Sequence, residues 1–133
     1  MTNNERIEQL LATYPTDAKA WRGWEPKSSG GLRPIAKPNK PLSKWLKHAN
    51  KELNNIYPNW PTFMHGGLKK HSYVTHARPH VNKPCVITID VKQCFDSIST
   101  QHVADCLERE LVISKKLAEQ LAKRLCFKGA VAQ

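Results

Sequence analysis

Apolar positions recur along this chain with two periods, and the changes of period mark its elements. Near the amino terminus Ile7, Leu10 and Leu11 share a face, which predicts a helix over roughly residues 3 to 13. Leu42, Trp45, Leu46, Ala49, Leu53 and Ile56 repeat at helical spacing, predicting a longer amphipathic helix from Pro41 to Ile56 with the proline in its first turn. Between these two stretches WEPKSSGGLRPIA, Trp24 to Ala36, reads as two short strands joined by a Ser-Ser-Gly-Gly turn, the glycines supplying positive φ. The prolines of Tyr57 to Pro61, YPNWP, break the pattern. Farther on, Cys85, Val86, Ile87, Thr88 and Ile89 form an apolar, β-branched run that predicts a short buried strand. After Ile98 the period returns to that of a helix. Ser99 or Thr100 would cap a helix carrying Val103, Leu107 and Leu111, and Ser114 a second one carrying Leu117, Leu121 and Leu125. The fold class expected is α+β.

Composition bounds this picture, since 133 residues with 40% hydrophobic content make one domain or part of one. Charge changes it more. The formal net charge of +10 is concentrated between Lys27 and Lys83, where eleven basic residues meet a single acid, Glu52. Such a block favours a polyanionic partner, and nucleic acid suits it better than a solvated surface alone. Lys40, Lys44, Lys47 and Lys51 recur on the polar face of the second helix as a stripe able to follow a phosphate backbone; a plain solvated face explains the same spacing. Lys37 lies just ahead of that stripe. Lys69, Lys70 and Arg78 interleave with aromatic residues and histidines, a mixture suited to single-stranded or hybrid nucleic acid. No apolar stretch is long enough to span a membrane and the polar amino terminus lacks a signal-peptide pattern, so a cytoplasmic protein without a membrane partner is expected. Cys85, Cys94, Cys106 and Cys126 have no metal-ligand spacing, and His76, His80 and Cys85 lack a fourth ligand for zinc.

Asp90 closes the apolar run. A carboxylate at the end of a strand reaches the rim of a sheet, where it can bind a hard cation such as Mg²⁺, with the Val91 carbonyl as a further oxygen. Phe95 would add a flat wall at the height of a bound nucleotide's sugar, excluding a 2′-hydroxyl. The alternative is that Asp90 caps the following turn and Phe95 is core. Lys27 and Arg33 flank the glycine turn, and across a hairpin the two cations can close on one phosphate group.

Taken in order, the hairpin PKSSGGLRPI, the segment HGGLKKHSYVTHARPHV and the motif TIDVKQCFDSIS resemble bacterial reverse transcriptases, nearest the retron and phage-defence types and more distantly the group II intron type. The resemblance implies an incomplete right-hand polymerase of fingers plus the first part of the palm, with the thumb absent. It divides the chain into an N-terminal helical extension (1–23), fingers (24–84) and a partial palm (85–133). It makes Asp90 the first catalytic, metal-binding aspartate, Val91 a carbonyl ligand and Phe95 the selector of deoxyribonucleotides. Lys27 and Arg33 match the basic pair that contacts the triphosphate of the incoming dNTP. The segment from His65 to Val81 would line the template path, with His71 and His76 standing where relatives often carry Arg and Asn.

The family's chemistry is two-metal phosphoryl transfer by an RNA-directed DNA polymerase, a nucleotidyltransferase holding two Mg²⁺ ions, an RNA template and an RNA/DNA hybrid. One aspartate cannot hold two ions. These 133 residues contain no adjacent Asp pair, and the Gln-Gly-X-Pro-Thr-Ser-Pro segment is not among them, although Gln133 falls where its first glutamine would be. The chain alone is therefore expected to be inactive, with a second polypeptide carrying the remaining palm and thumb as a candidate partner; a split gene, an interrupted gene or an artificial cut would each explain it. The rival expectation is a non-catalytic RNA-binding module or a remnant of a reverse transcriptase. Retron-like antiviral defence is part of what the resemblance implies.

Overall fold

The computed structural model describes residues 1–57 and 59–131. In chain order the elements are α1 (Asn3–Ala12), β1 (Ala20–Pro26), β2 (Leu32–Pro38), α2 (Lys40–Ile56), α3 (Tyr73–Ala77), a single 3₁₀ turn at Arg78–His80, α4 (Cys94–Ser97), α5 (Thr100–Leu111) and α6 (Lys115–Leu125). Packing divides the chain into two compact units. One is built from Met1–Tyr57 and the chain from Gln93 onward, the other from the residues between. The boundaries expected at residues 24 and 85 follow the order of motifs, whereas this division follows the core. Gln133, the expected start of a further motif, lies outside the described residues.

The larger unit is organised by its helices. α1 begins at a capping box in which the Thr2 hydroxyl accepts from the Glu5 amide and the Glu5 carboxylate accepts from the Thr2 amide. Ile7 and Leu10 are buried against Leu42, Trp45 and Ala49 of α2 and Leu117, Ala118 and Leu121 of α6. Ile7, Leu10 and Leu121 are fully enclosed, and each such side chain contributes about 1.5–3 kcal/mol relative to leaving it in water. Trp45 also satisfies its polar edge: Nε1 donates to the Leu10 carbonyl at 3.1 Å, and its ring meets that of Tyr14 edge-on at 5.0 Å. Ser99 and Ser114 cap α5 and α6 through their side-chain oxygens, as the spacing predicts.

β1 and β2 pair antiparallel, with Glu25 opposite Arg33 and Gly23 opposite Ile35. The turn closes with the Lys27 amide donating to the Gly31 carbonyl at 3.0 Å. Gly30 and Gly31 take φ of 87° and 80°, the conformation expected of the glycine pair. Asn39 then fixes the entry to α2. Its Oδ1 accepts from the Leu42 amide and, at 3.3 Å, from the Lys19 amide, while its Nδ2 donates to the Asp17 carbonyl at 2.8 Å.

The smaller unit contains α3 and the 3₁₀ turn, and none of its described side chains is buried. Here one expectation is corrected. Cys85–Ile89 is not a buried strand: it has no regular secondary structure, belongs to no sheet and is exposed, with Ile87 82% and Ile89 87% accessible. The reason is the backbone. A strand needs a neighbour to take its amides and carbonyls, and among the described residues the sheet is limited to β1 and β2.

Candidate nucleic-acid interface

Four lysines stand on α2 as one stripe. At about 100° per residue Lys40, Lys44, Lys47 and Lys51 fall within a narrow arc, and all four are exposed while the opposite face buries Leu42, Trp45 and Ala49. The amphipathic pattern that builds the core thus fixes which way the charges point. Lys37, on β2, is exposed at its charged end, but its stem lies against Gly23, where an added Cβ would collide with Lys37 Cε and Cδ. Gly23 is buried by that stem, so the lysine is held along the hairpin.

Arg33 has a partner that its sequence position alone did not suggest. Its Nη2 lies 3.5 Å from Glu25 Oε2 directly across the ladder, with both side chains nearly half exposed. Lys27 sits in the turn. A cross-strand pair this exposed is worth at most about 1 kcal/mol, so a phosphate could compete for the guanidinium. Opposite charges facing each other across a hairpin are legible once the register is known, and register is what the sequence left open.

Phe95 lies in the short α4, which follows a left-handed Gln93 (φ 51°), and the Ser97 hydroxyl donates back to the Gln93 carbonyl at 2.9 Å. Its ring is 45% exposed, so it is available as a wall and is not core. Behind α4, Asp96, Arg22 and Lys128 line a recess of about 100 Å³.

In the smaller unit Asp90 and Val91 are exposed in the irregular segment that follows Ile89. Asp90 is an accessible hard-oxygen ligand, yet among the described residues no group of three or more His, Cys, Asp or Glu side chains could hold a metal ion. Lys69, Lys70 and Arg78 are exposed. The feature that spacing did not reveal is a chain of imidazoles: His65 lies 5.0 Å from His71 and 5.5 Å from His76 between ring centroids, and His76 lies 5.8 Å from His80. Their spacing of four to six residues was visible, but the turns that gather them were not. The Thr75 hydroxyl donates to the Ser72 carbonyl at 2.8 Å, so His65 Nδ1, at 3.0 Å, donates to the Thr75 oxygen. His71 Nδ1 donates to the Lys69 carbonyl at 3.0 Å. Both rings therefore carry their neutral-state proton on Nδ1 and leave Nε2 as the basic nitrogen. Partial desolvation, followed by the like charges of His71 and His76, holds the His65 imidazole below its ordinary value.

No helix among the described residues is long and apolar enough to cross a membrane. No family model matches the chain. Over 101 residues it is 27% identical to the retron Se72 reverse transcriptase of Salmonella heidelberg (strain 579083-10), an alignment covering 76% of this chain and 26% of that protein. The chain thus spans about a quarter of the length of the curated relative it matches, and the similarity supports a reverse-transcriptase-like relationship.

Proposed function

We propose that this chain is the fingers and first palm motif of an RNA-directed DNA polymerase of retron type. It would hold template and incoming dNTP and contribute one carboxylate, Asp90, to phosphoryl transfer. The observation that carries the reading is the similarity to a retron reverse transcriptase over three quarters of the chain. The exposed lysine stripe of α2 and the weakly engaged Arg33 add support. In this reading Arg33 exchanges Glu25 for the triphosphate, Lys27 reaches the same phosphates from the turn, and Phe95 presents its exposed ring to the sugar.

Bound Mg²⁺ would supply Lewis-acid stabilisation of the attacking and leaving oxygens. The residues described here do not make up that site: Asp90 and the Val91 carbonyl are too few ligands, and no metal-holding group forms among the described side chains. The remaining carboxylates come, in this reading, from another segment or a second polypeptide. The same shortage of ligands favours, as a second reading, an RNA-binding module in which Asp90 has no catalytic part.

A test lies in sugar selection. With the missing palm motifs and thumb supplied as a second polypeptide, Phe95→Ala should lower discrimination against ribonucleotides by about tenfold or more, measured by primer extension with paired dNTP and rNTP. Unchanged discrimination would remove Phe95 from the site, and RNA binding without synthesis under any complementation would favour the binding module.

A further inference from the structure

Three histidines of the smaller unit, His65, His71 and His76, line a groove of about 450 Å³ together with Phe63, Gly67 and Tyr73, and His80 meets the His76 ring edge-on at 5.8 Å. That volume is in the range of small-ligand sites. Its aromatic rim is open to solvent, Phe63 at 78% and Tyr73 at 86%. Exposed rings of this kind are stacking platforms for unpaired bases, whichever the base. The geometry points to a proton-gated site for single-stranded nucleic acid, in which exposed aromatic rings take the bases and the histidine cluster, when protonated, takes a backbone phosphate. This rests on the reading above that the chain binds nucleic acid, and adds to it a dependence on protons.

The gate follows from the hydrogen bonds. His65 and His71 have committed Nδ1 to Thr75 and to the Lys69 carbonyl, so a proton added to either ring goes to Nε2. His76 faces His65 on one side and His80 on the other. Rings 5.0–5.8 Å apart repel one another once charged. Among the described residues the ion pairs are Arg33–Glu25 and Arg109–Glu110, and neither involves these histidines. The charged residues of the same stretch are Lys69, Lys70, Arg78, Lys83 and Lys92 against the lone Asp90. An anion placed among the imidazoles supplies the missing charge, so phosphate and proton promote each other's binding. The sign is fixed by this linkage. Phosphate raises the histidine pKa, each complex takes protons from solvent, and affinity rises as pH falls through the histidine range.

The experiment measures binding of a single-stranded RNA oligonucleotide to the full chain by fluorescence anisotropy at pH 5.5, 6.5 and 7.5 and constant ionic strength. Affinity should rise by about tenfold from pH 7.5 to 5.5, the equivalent of one pKa unit. The triple change His65→Gln, His71→Gln and His76→Gln should flatten the profile, whereas His102→Gln, which keeps a side chain suited to the α5 capping box, should leave it unaltered. Imidazole titration of the unmodified protein by NMR gives a readout independent of any folding defect: the oligonucleotide should raise the pKa of His65. A flat profile with RNA still bound at every pH would overturn the gate while leaving nucleic-acid binding intact. No binding at any pH would overturn both, and an equal pKa rise with inorganic phosphate at the same phosphate concentration would overturn the assignment to a strand.

Discussion

Arg33 and Glu25 face each other across the hairpin at 3.5 Å, and the half-exposed setting of the pair decides what it can do. A pair so screened costs about 1 kcal/mol or less to break, while a triphosphate offers the guanidinium several charged oxygens in bidentate geometry. Glu25→Gln should therefore tighten dNTP binding in the complemented protein by a few-fold, and Arg33→Ala should weaken it by about tenfold, both read from the substrate dependence of primer extension. Equal weakening by both changes would mean that the pair is structural. At this scale the sequence located the cation but not its partner. Glu25 precedes Pro26 on β1, and only the register established by the Gly30–Gly31 turn sets it opposite Arg33.

Elements were legible where one helix face had to be apolar. α1, α2, α5 and α6 lie close to their expected spans because their stripes and their caps at Ser99 and Ser114 agree with one another. Cys85–Ile89 failed for the opposite reason: β-branched residues favour a strand, but the ladder is a property of two segments, and no neighbour exists among the described residues. Backbone amides from Val86 to Val91 should exchange with solvent nearly as fast as in an unstructured peptide, and measured protection there would show a pairing that the structure lacks. For α2, neutralising Lys44, Lys47 and Lys51 together as glutamines should weaken RNA binding across all sequences. It should also reduce the slope of log affinity against log salt by about 0.7 per lost contact to a single strand. An unchanged slope would make the stripe a solvated face, the alternative its spacing always allowed.

The whole molecule joins a helical core with a basic face to a smaller, exposed unit that carries Asp90. The order of motifs suggested a reverse transcriptase, and the similarity to the retron Se72 enzyme supports a relationship of that kind. The imidazole cluster escaped notice because turns at Gly67 and Lys70, both at positive φ, precede α3 and form part of the path that gathers the rings. The central claim is that Asp90 is a metal-binding carboxylate of a polymerase whose other ligands lie elsewhere. It is tested most directly by mixing this chain with a polypeptide carrying the later palm motifs and thumb, and measuring DNA synthesis on a primed RNA template with and without Mg²⁺. The account predicts synthesis that requires both polypeptides and the metal and that is lost with Asp90→Ala while RNA binding persists; synthesis undiminished by Asp90→Ala would contradict it.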